Sequence, residues 1–95
     1  MKALDHEGIN LALLSIPLWE VTKDGKSVKR SYDFADFNSA FGFMVRSALK
    51  AEEIDHHPDW RNIFNVVDVV LTTHDVKGIT EKDIQLARFM DLVYN

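Results

Sequence analysis

Ala51-Glu52-Glu53-Ile54-Asp55-His56-His57-Pro58-Asp59-Trp60 marks the point at which one kind of pattern gives way to another. Proline disfavours helical backbone at the residue before it, so a helix arriving from the N-terminal side ends before His56-His57 and the chain leaves extended. Upstream, Phe37, Phe41, Met44, Val45, Ala48 and Leu49 recur at helical spacing and Asp36 is a suitable N-cap. The pattern predicts a helix from Asp36 to about Glu53 whose apolar stripe covers a sheet. Downstream, Trp60–Phe64 and Val67–Thr73 are β-prone runs joined near Asn65, a residue that tolerates tight-turn backbone. Alternation puts Val67, Val69, Leu71 and Thr73 on one face of the second run and Asp68, Val70, Thr72 and His74 on the other. His74 therefore emerges at the strand end.

Further out, Leu18–Thr22 and Val28–Phe34 flank Lys23-Asp24-Gly25-Lys26. Asp-Gly between β-prone runs predicts a hairpin with a two-residue turn, both central positions at positive φ. Residues 4 to 14 read as a short helix carrying Ile9, Leu11, Leu13 and Leu14, with Pro17 beyond its end. Thr80 opens a last helix, Glu81 to about Val93, whose faces are set by Ile84, Ala87, Leu92 and either Arg88 or Phe89. The predicted order is α-β-β-α-β-β-α. Segregated hairpins and helices give an α+β fold, a four-stranded antiparallel sheet with helices packed on one face. No repeat, low-complexity tract or linker interrupts residues 1–95, which read as a single domain.

Composition narrows the function. The chain has 95 residues, 46% hydrophobic and 27% charged, an ordinary balance for a soluble globular protein. No apolar run approaches the ~20 residues needed to span a bilayer. Met1–Gly8 lacks the basic start and apolar core of a secretory signal, so a cytoplasmic address is expected. The absence of cysteine removes thiolate metal sites and thiol catalysis. A net charge of -4 argues against direct nucleic-acid binding.

Three of the four histidines, His56, His57 and His74, stand beside carboxylates. Histidine is the side chain suited to moving protons near neutrality, so the cluster suggests acid/base chemistry on a small molecule. Glu52, Glu53 and Asp55 lie at the negative end of the predicted helix dipole, where protonated imidazoles would compensate them. Two other readings stand beside this one. His-His-Pro can be a polar surface turn, and three histidines can hold zinc, although neighbours on an extended segment point to opposite sides and no i, i+4 pair is present. Asp83 fits a capping box opened by Thr80. Trp60 suits either a core or rim position or a platform on which a planar heterocycle stacks. His6 reads as a solvated side chain, and the aromatic stripe from Phe34 through Phe43 as core or subunit interface.

Taken in order, Glu52-x3-His56-His57-Pro58-x-Trp60, Thr72-Thr73-His74 at a strand end, and Gly78-Ile79-Thr80-x2-Asp83 resemble the signature of the pterin-4a-carbinolamine dehydratases. The Asp24-Gly25 hairpin and Phe34-x-Asp36-Phe37 fit the same family, so the resemblance covers nearly all of the chain. It departs at Phe64, where tyrosine is frequent, and at Leu18 before Trp19, where glycine is frequent. The resemblance implies dehydration of 4a-hydroxytetrahydrobiopterin to quinonoid dihydrobiopterin, in tetrahydrobiopterin recycling, with no metal or organic cofactor. It implies that His56 and His74 are general acids that serve opposite faces of the ring or exchange acid and base roles, that His57 binds and orients the pterin, and that Glu52 and Asp83 support the histidines. Asp55, Trp60, Thr72, Thr73 and Asp75 complete the expected substrate-binding set. A homodimer or homotetramer is expected, and family members in animals also resemble dimerisation cofactors of a homeodomain transcription factor. That analogy is the basis for a partner-binding alternative using the exposed face of the Phe37–Leu49 helix.

Overall fold

The computed structural model describes residues 1–94, in the order α1 (His6–Leu13), β1 (Glu20–Val21), β2 (Val28–Asp33), α2 (Phe37–Glu53), β3 (Asp59–Ile63), β4 (Val66–Leu71), a 3₁₀ turn (His74–Val76) and α3 (Glu81–Tyr94). The strands form one antiparallel sheet in spatial order β1-β2-β4-β3, with β2 and β4 paired centrally from Val28↔Leu71 to Asp33↔Val66. Period-two alternation makes the sheet one-sided. Val28, Tyr32, Val67, Val69 and Leu71 are buried in one core with Ile16, Phe43, Ile84, Leu86 and Met90 from the helical side, while Lys29, Ser31 and Asp33 point outward. The α+β class and the element order are those the sequence predicts. No helix among the described residues is long and apolar enough to cross a membrane.

The faces of the helices differ from the sequence reading. In α2 the buried positions are Ala40, Phe43, Ser47 and Ala51, whereas Phe37, Phe41, Val45 and Leu49 are 50%, 52%, 45% and 68% exposed. Small side chains at 40, 47 and 51 leave room for close packing, and Phe43 reaches Tyr32 and Phe34 at ring-centroid distances of 4.6 and 5.2 Å. Spacing identifies an apolar stripe but does not rank two stripes on one helix. In α3, Leu86 and Met90 are buried beside Ile84 and Ala87, and Leu92 is exposed. In α1, Ile9 and Leu13 pack against the core while Leu11 and Leu14 face outward.

Both hairpins also close differently. Thr22 N–H donates to the Ser27 carbonyl at 2.9 Å, so the loop between β1 and β2 has four residues, and only Gly25 takes positive φ (74°). The Asp24 carboxylate accepts from Lys26 N–H and the Thr22 hydroxyl, bonds that hold it below the usual carboxylate range. Trp19 turns into the core, leaving only Glu20–Val21 as strand. Between β3 and β4 the positive φ (50°) falls on Phe64, not Asn65. Asn65 is instead held by Phe34, accepting from its N–H and donating from Nδ2 to its carbonyl, each at 2.8 Å.

Candidate active site

The end of α2 places the histidine pair. Asp55 N–H donates to the Glu52 carbonyl (3.2 Å) and His56 N–H to the Ala51 carbonyl (2.9 Å), the paired bonds of a Schellman turn. That turn requires left-handed backbone at Asp55 (φ 52°), a position usually given to glycine. The backbone reverses there, Pro58 prevents a return to helix, and His56 is directed inward, 9% exposed, while His57 stays outside.

His56 meets a carboxylate from the start of α3. Thr80 and Asp83 form the capping box the sequence predicts, with Asp83 Oδ2 accepting from Thr80 N–H at 2.9 Å. The same Oδ2 accepts from the Thr73 hydroxyl at 2.8 Å, and Oδ1 lies 2.5 Å from His56 Nε2. Asp83 is fully buried, so an ionised carboxylate persists only with its lone pairs filled by donors. An ionised carboxylate only accepts, which assigns the shared hydrogen to His56 Nε2 and leaves Nδ1 as the nitrogen free for another partner. Capping and histidine orientation are thus two functions of one side chain.

The structure gathers Asp55, His56, His57, Thr72, Thr73, His74 and Asp75 around an open depression of about 250 Å³. His74 enters it from the first residue of the 3₁₀ turn that follows β4. Thr73 closes that turn by bridging to Gly78, and Gly78 admits the N-terminal segment, since a Cβ there would lie 2.9 Å from Ala3 Cβ. The Thr72 hydroxyl donates to the Lys26 carbonyl at 2.6 Å, fastening the first hairpin loop to the rim. Glu52 and Trp60 lie apart from this group. They share with His57, Pro58, Val45 and Leu49 an apolar depression of about 470 Å³, in which Glu52 accepts from His57 Nε2 at 2.8 Å. Both partners of that pair are more than half exposed, so solvent screens it and it orients His57 more than it stabilises the fold.

Sequence reasoning missed three lining residues. Met1, Val76 and Lys82 form a second depression of about 260 Å³ that also borders Asp55, His56, Thr73 and Asp75. Met1 and Lys82 come there only through tertiary folding, whereas Val76 ends the 3₁₀ turn that His74 begins. It also missed the hydroxyl contact of Thr80, read only as a helix start. A larger depression, about 600 Å³ beside Leu18, Lys29, Arg30 and Asp68, is lined by no histidine, so size alone does not mark the chemistry.

Comparison with known proteins bears on this arrangement. The family profile described as pterin 4 alpha carbinolamine dehydratase matches residues 2–93. Two bacterial relatives carry provisional names as pterin-4-alpha-carbinolamine dehydratases. The one from Rhodopseudomonas palustris is 48% identical over 93 residues, 98% of this chain and 92% of the relative. That from Burkholderia multivorans is 54% identical over 90 residues, covering 95% and 88% respectively. A crystal structure described as transcriptional coactivator/pterin dehydratase from Brucella melitensis superimposes with a TM-score of 0.96 at 42% identity, covering 99% of this chain and all of that one. With the profile spanning almost the entire sequence, this chain belongs to the pterin 4 alpha carbinolamine dehydratase family.

Proposed function

We propose that the protein dehydrates 4a-hydroxytetrahydrobiopterin to quinonoid dihydrobiopterin in the cytoplasm, serving tetrahydrobiopterin recycling. The observation that carries this reading is the buried His56–Asp83 pair, whose imidazole borders the same depression as His74 and His57. Loss of the 4a hydroxyl as water requires a proton on the departing oxygen and removal of one from a ring nitrogen. His74 is exposed and makes no side-chain hydrogen bond among the described residues, so in its imidazolium form it is free to protonate the hydroxyl and is left as neutral imidazole. His56 then receives the ring proton at Nδ1, where Asp83 stabilises the resulting imidazolium, as a buried carboxylate does behind a catalytic histidine. The leaving oxygen departs as water, and solvent returns both imidazoles to their starting states. His57, steadied by Glu52, binds and orients the pterin, with Asp55, Thr72, Thr73 and Asp75 lining the pocket and Trp60 adjoining it beyond His57.

The test is the decay of the 4a-hydroxytetrahydropterin ultraviolet signal, generated in situ by a hydroxylase and corrected for spontaneous dehydration. Wild-type protein should accelerate it, and His56→Ala and His74→Ala should each lower the enzymatic rate about 100-fold with unchanged circular dichroism. Folded wild-type protein that gives no acceleration would falsify the enzyme reading.

A second reading has its own observation. Phe37 and Phe41 stack at 5.8 Å on the outer face of α2, in line with exposed Val45 and Leu49. An apolar helix face of this kind suits association, either in a homodimer or homotetramer or with a transcription-factor partner, in keeping with the coactivator description of the Brucella protein. Light scattering should give a mass at least twice that of one chain, reduced to one chain by Phe41→Asp. A wild-type monomer would remove the self-association reading.

A further inference from the structure

We infer that Thr80, which does not line the pocket, is a positioning residue that acts through Thr73 and Asp83 to hold His56 in one tautomer. Thr73 has one hydroxyl hydrogen, and it goes to Asp83 Oδ2. Thr73 Oγ1 and Thr80 Oγ1 are 2.8 Å apart, so the hydrogen between them belongs to Thr80. Thr80 Oγ1 in turn accepts from Lys82 N–H at 3.3 Å. The result is a one-way chain: Lys82 N–H to Thr80, Thr80 O–H to Thr73, Thr73 O–H to Asp83. Oδ2 is filled by the Thr73 hydroxyl and the Thr80 amide, and Oδ1 remains for the imidazole, which must bring Nε2–H to it.

Burial gives this chain its leverage. Thr80 and Asp83 are fully buried and Thr73 is 9% exposed, so water does not readily replace a missing member. Without the Thr80 hydroxyl, the Thr73 hydroxyl divides its hydrogen between Asp83 and the depressions it borders. Asp83 Oδ2 then keeps only the Thr80 amide as a constant donor, the carboxylate turns more freely, and neutral His56 begins to populate the Nδ1–H form, which cannot accept a proton at Nδ1. The kinetic consequence rests on the dehydratase reading; the tautomer is a property of the protein alone.

The experiment uses nitrogen-15 imidazole NMR on the protein, with the pH raised until the ring shifts report neutral imidazole, together with the dehydration assay. Wild type should show the Nε2–H tautomer alone. Thr80→Val should show both forms and lose about five-fold in kcat, the worth of one neutral hydrogen bond, with KM unchanged. Thr80→Ser should restore both. Thr73→Val should be more severe, and adding Thr80→Val to it should change nothing further, because the chain is already cut. Should Thr80→Val not fold, Thr80→Ala removes the same hydroxyl with less bulk. A wild-type tautomer and kcat in the variant, or an effect that adds in full to Thr73→Val, overturns the inference. Wild-type protein that fails to accelerate dehydration removes the functional reading instead, and leaves the NMR comparison to decide this one.

Discussion

Asp55 holds a backbone conformation that an L-residue adopts only at a cost, and it does so where the pocket begins. Left-handed backbone is disfavoured for residues with a Cβ, less for aspartate than for most because its short carboxylate can bond locally. Glycine at this position would satisfy the Schellman turn without strain, yet would remove a carboxylate that borders both depressions around His56. Asp55→Gly should therefore raise stability by about 0.5 kcal/mol, the strain relieved less the added freedom of the unfolded chain. It should also raise KM for the pterin. Urea unfolding and steady-state kinetics check the two parts. A fall in stability would mean that the carboxylate contributes more to the folded state than its backbone strain removes. The strain was not readable from sequence, since a helix C-terminus followed by proline can close in several ways. What was readable was that the helix must stop, and that His56, His57 and His74 form a cluster, which the structure gathers around one depression.

The secondary-structure elements were legible where a local rule has a single outcome. The Asp36 cap accepts from Ser39 N–H at 2.7 Å and starts α2 at Phe37, as a side-chain acceptor before an apolar-periodic run requires. Thr80 and Asp83 likewise form their capping box. The readings that failed depend on what lies across the space from an element. Phe37, Phe41, Val45 and Leu49 make the more conspicuous stripe, but the core side of α2 needs small residues so that Phe43 can fit among Tyr32, Phe34 and Tyr94. The first hairpin failed for a related reason. Asp24 uses its carboxylate on Lys26 and Thr22 across a wider loop, and Thr72, just past the end of β4, fastens that loop through the Lys26 carbonyl, so a distant contact helps set its length. The site inherits both lessons. Its histidines stand in local motifs, whereas Lys82 and the Thr80 hydroxyl are brought to it by the connection that returns from Thr73 through Gly78 to the start of α3.

In the whole molecule a second carboxylate joins elements that the sequence keeps far apart. Asp91 Oδ1, on α3, accepts from Trp19 Nε1 at 3.0 Å, Arg30 Nη1 at 2.6 Å and the Tyr32 hydroxyl at 2.5 Å. It ties the segment before β1, the middle of β2 and the last helix into one node. The Arg30 guanidinium lies 4.2 Å from the centre of the Tyr32 ring and 5.2 Å from that of Tyr94. Trp19 and Tyr32 are buried, so removing their common acceptor leaves donors that water reaches poorly. Asp91→Ala should destabilise the protein by about 3 kcal/mol, which for a domain of this size lowers Tm by about 15 °C. Asp91→Asn keeps an acceptor oxygen and should lose less. Burial, then the Asp91 hydrogen bond and charge, push the Tyr32 phenol far above its ordinary value of 10.0. The folded state therefore favours the protonated phenol: the stability it contributes is complete below 10.0 and is lost as pH rises beyond that value. Thermal melts followed upward from neutral pH should fall more steeply above 10.0 for wild type than for Tyr32→Phe, which has no phenol to ionise. Equal slopes would place the alkaline sensitivity elsewhere and reduce the node to the hydrogen bonds of Trp19 and Arg30.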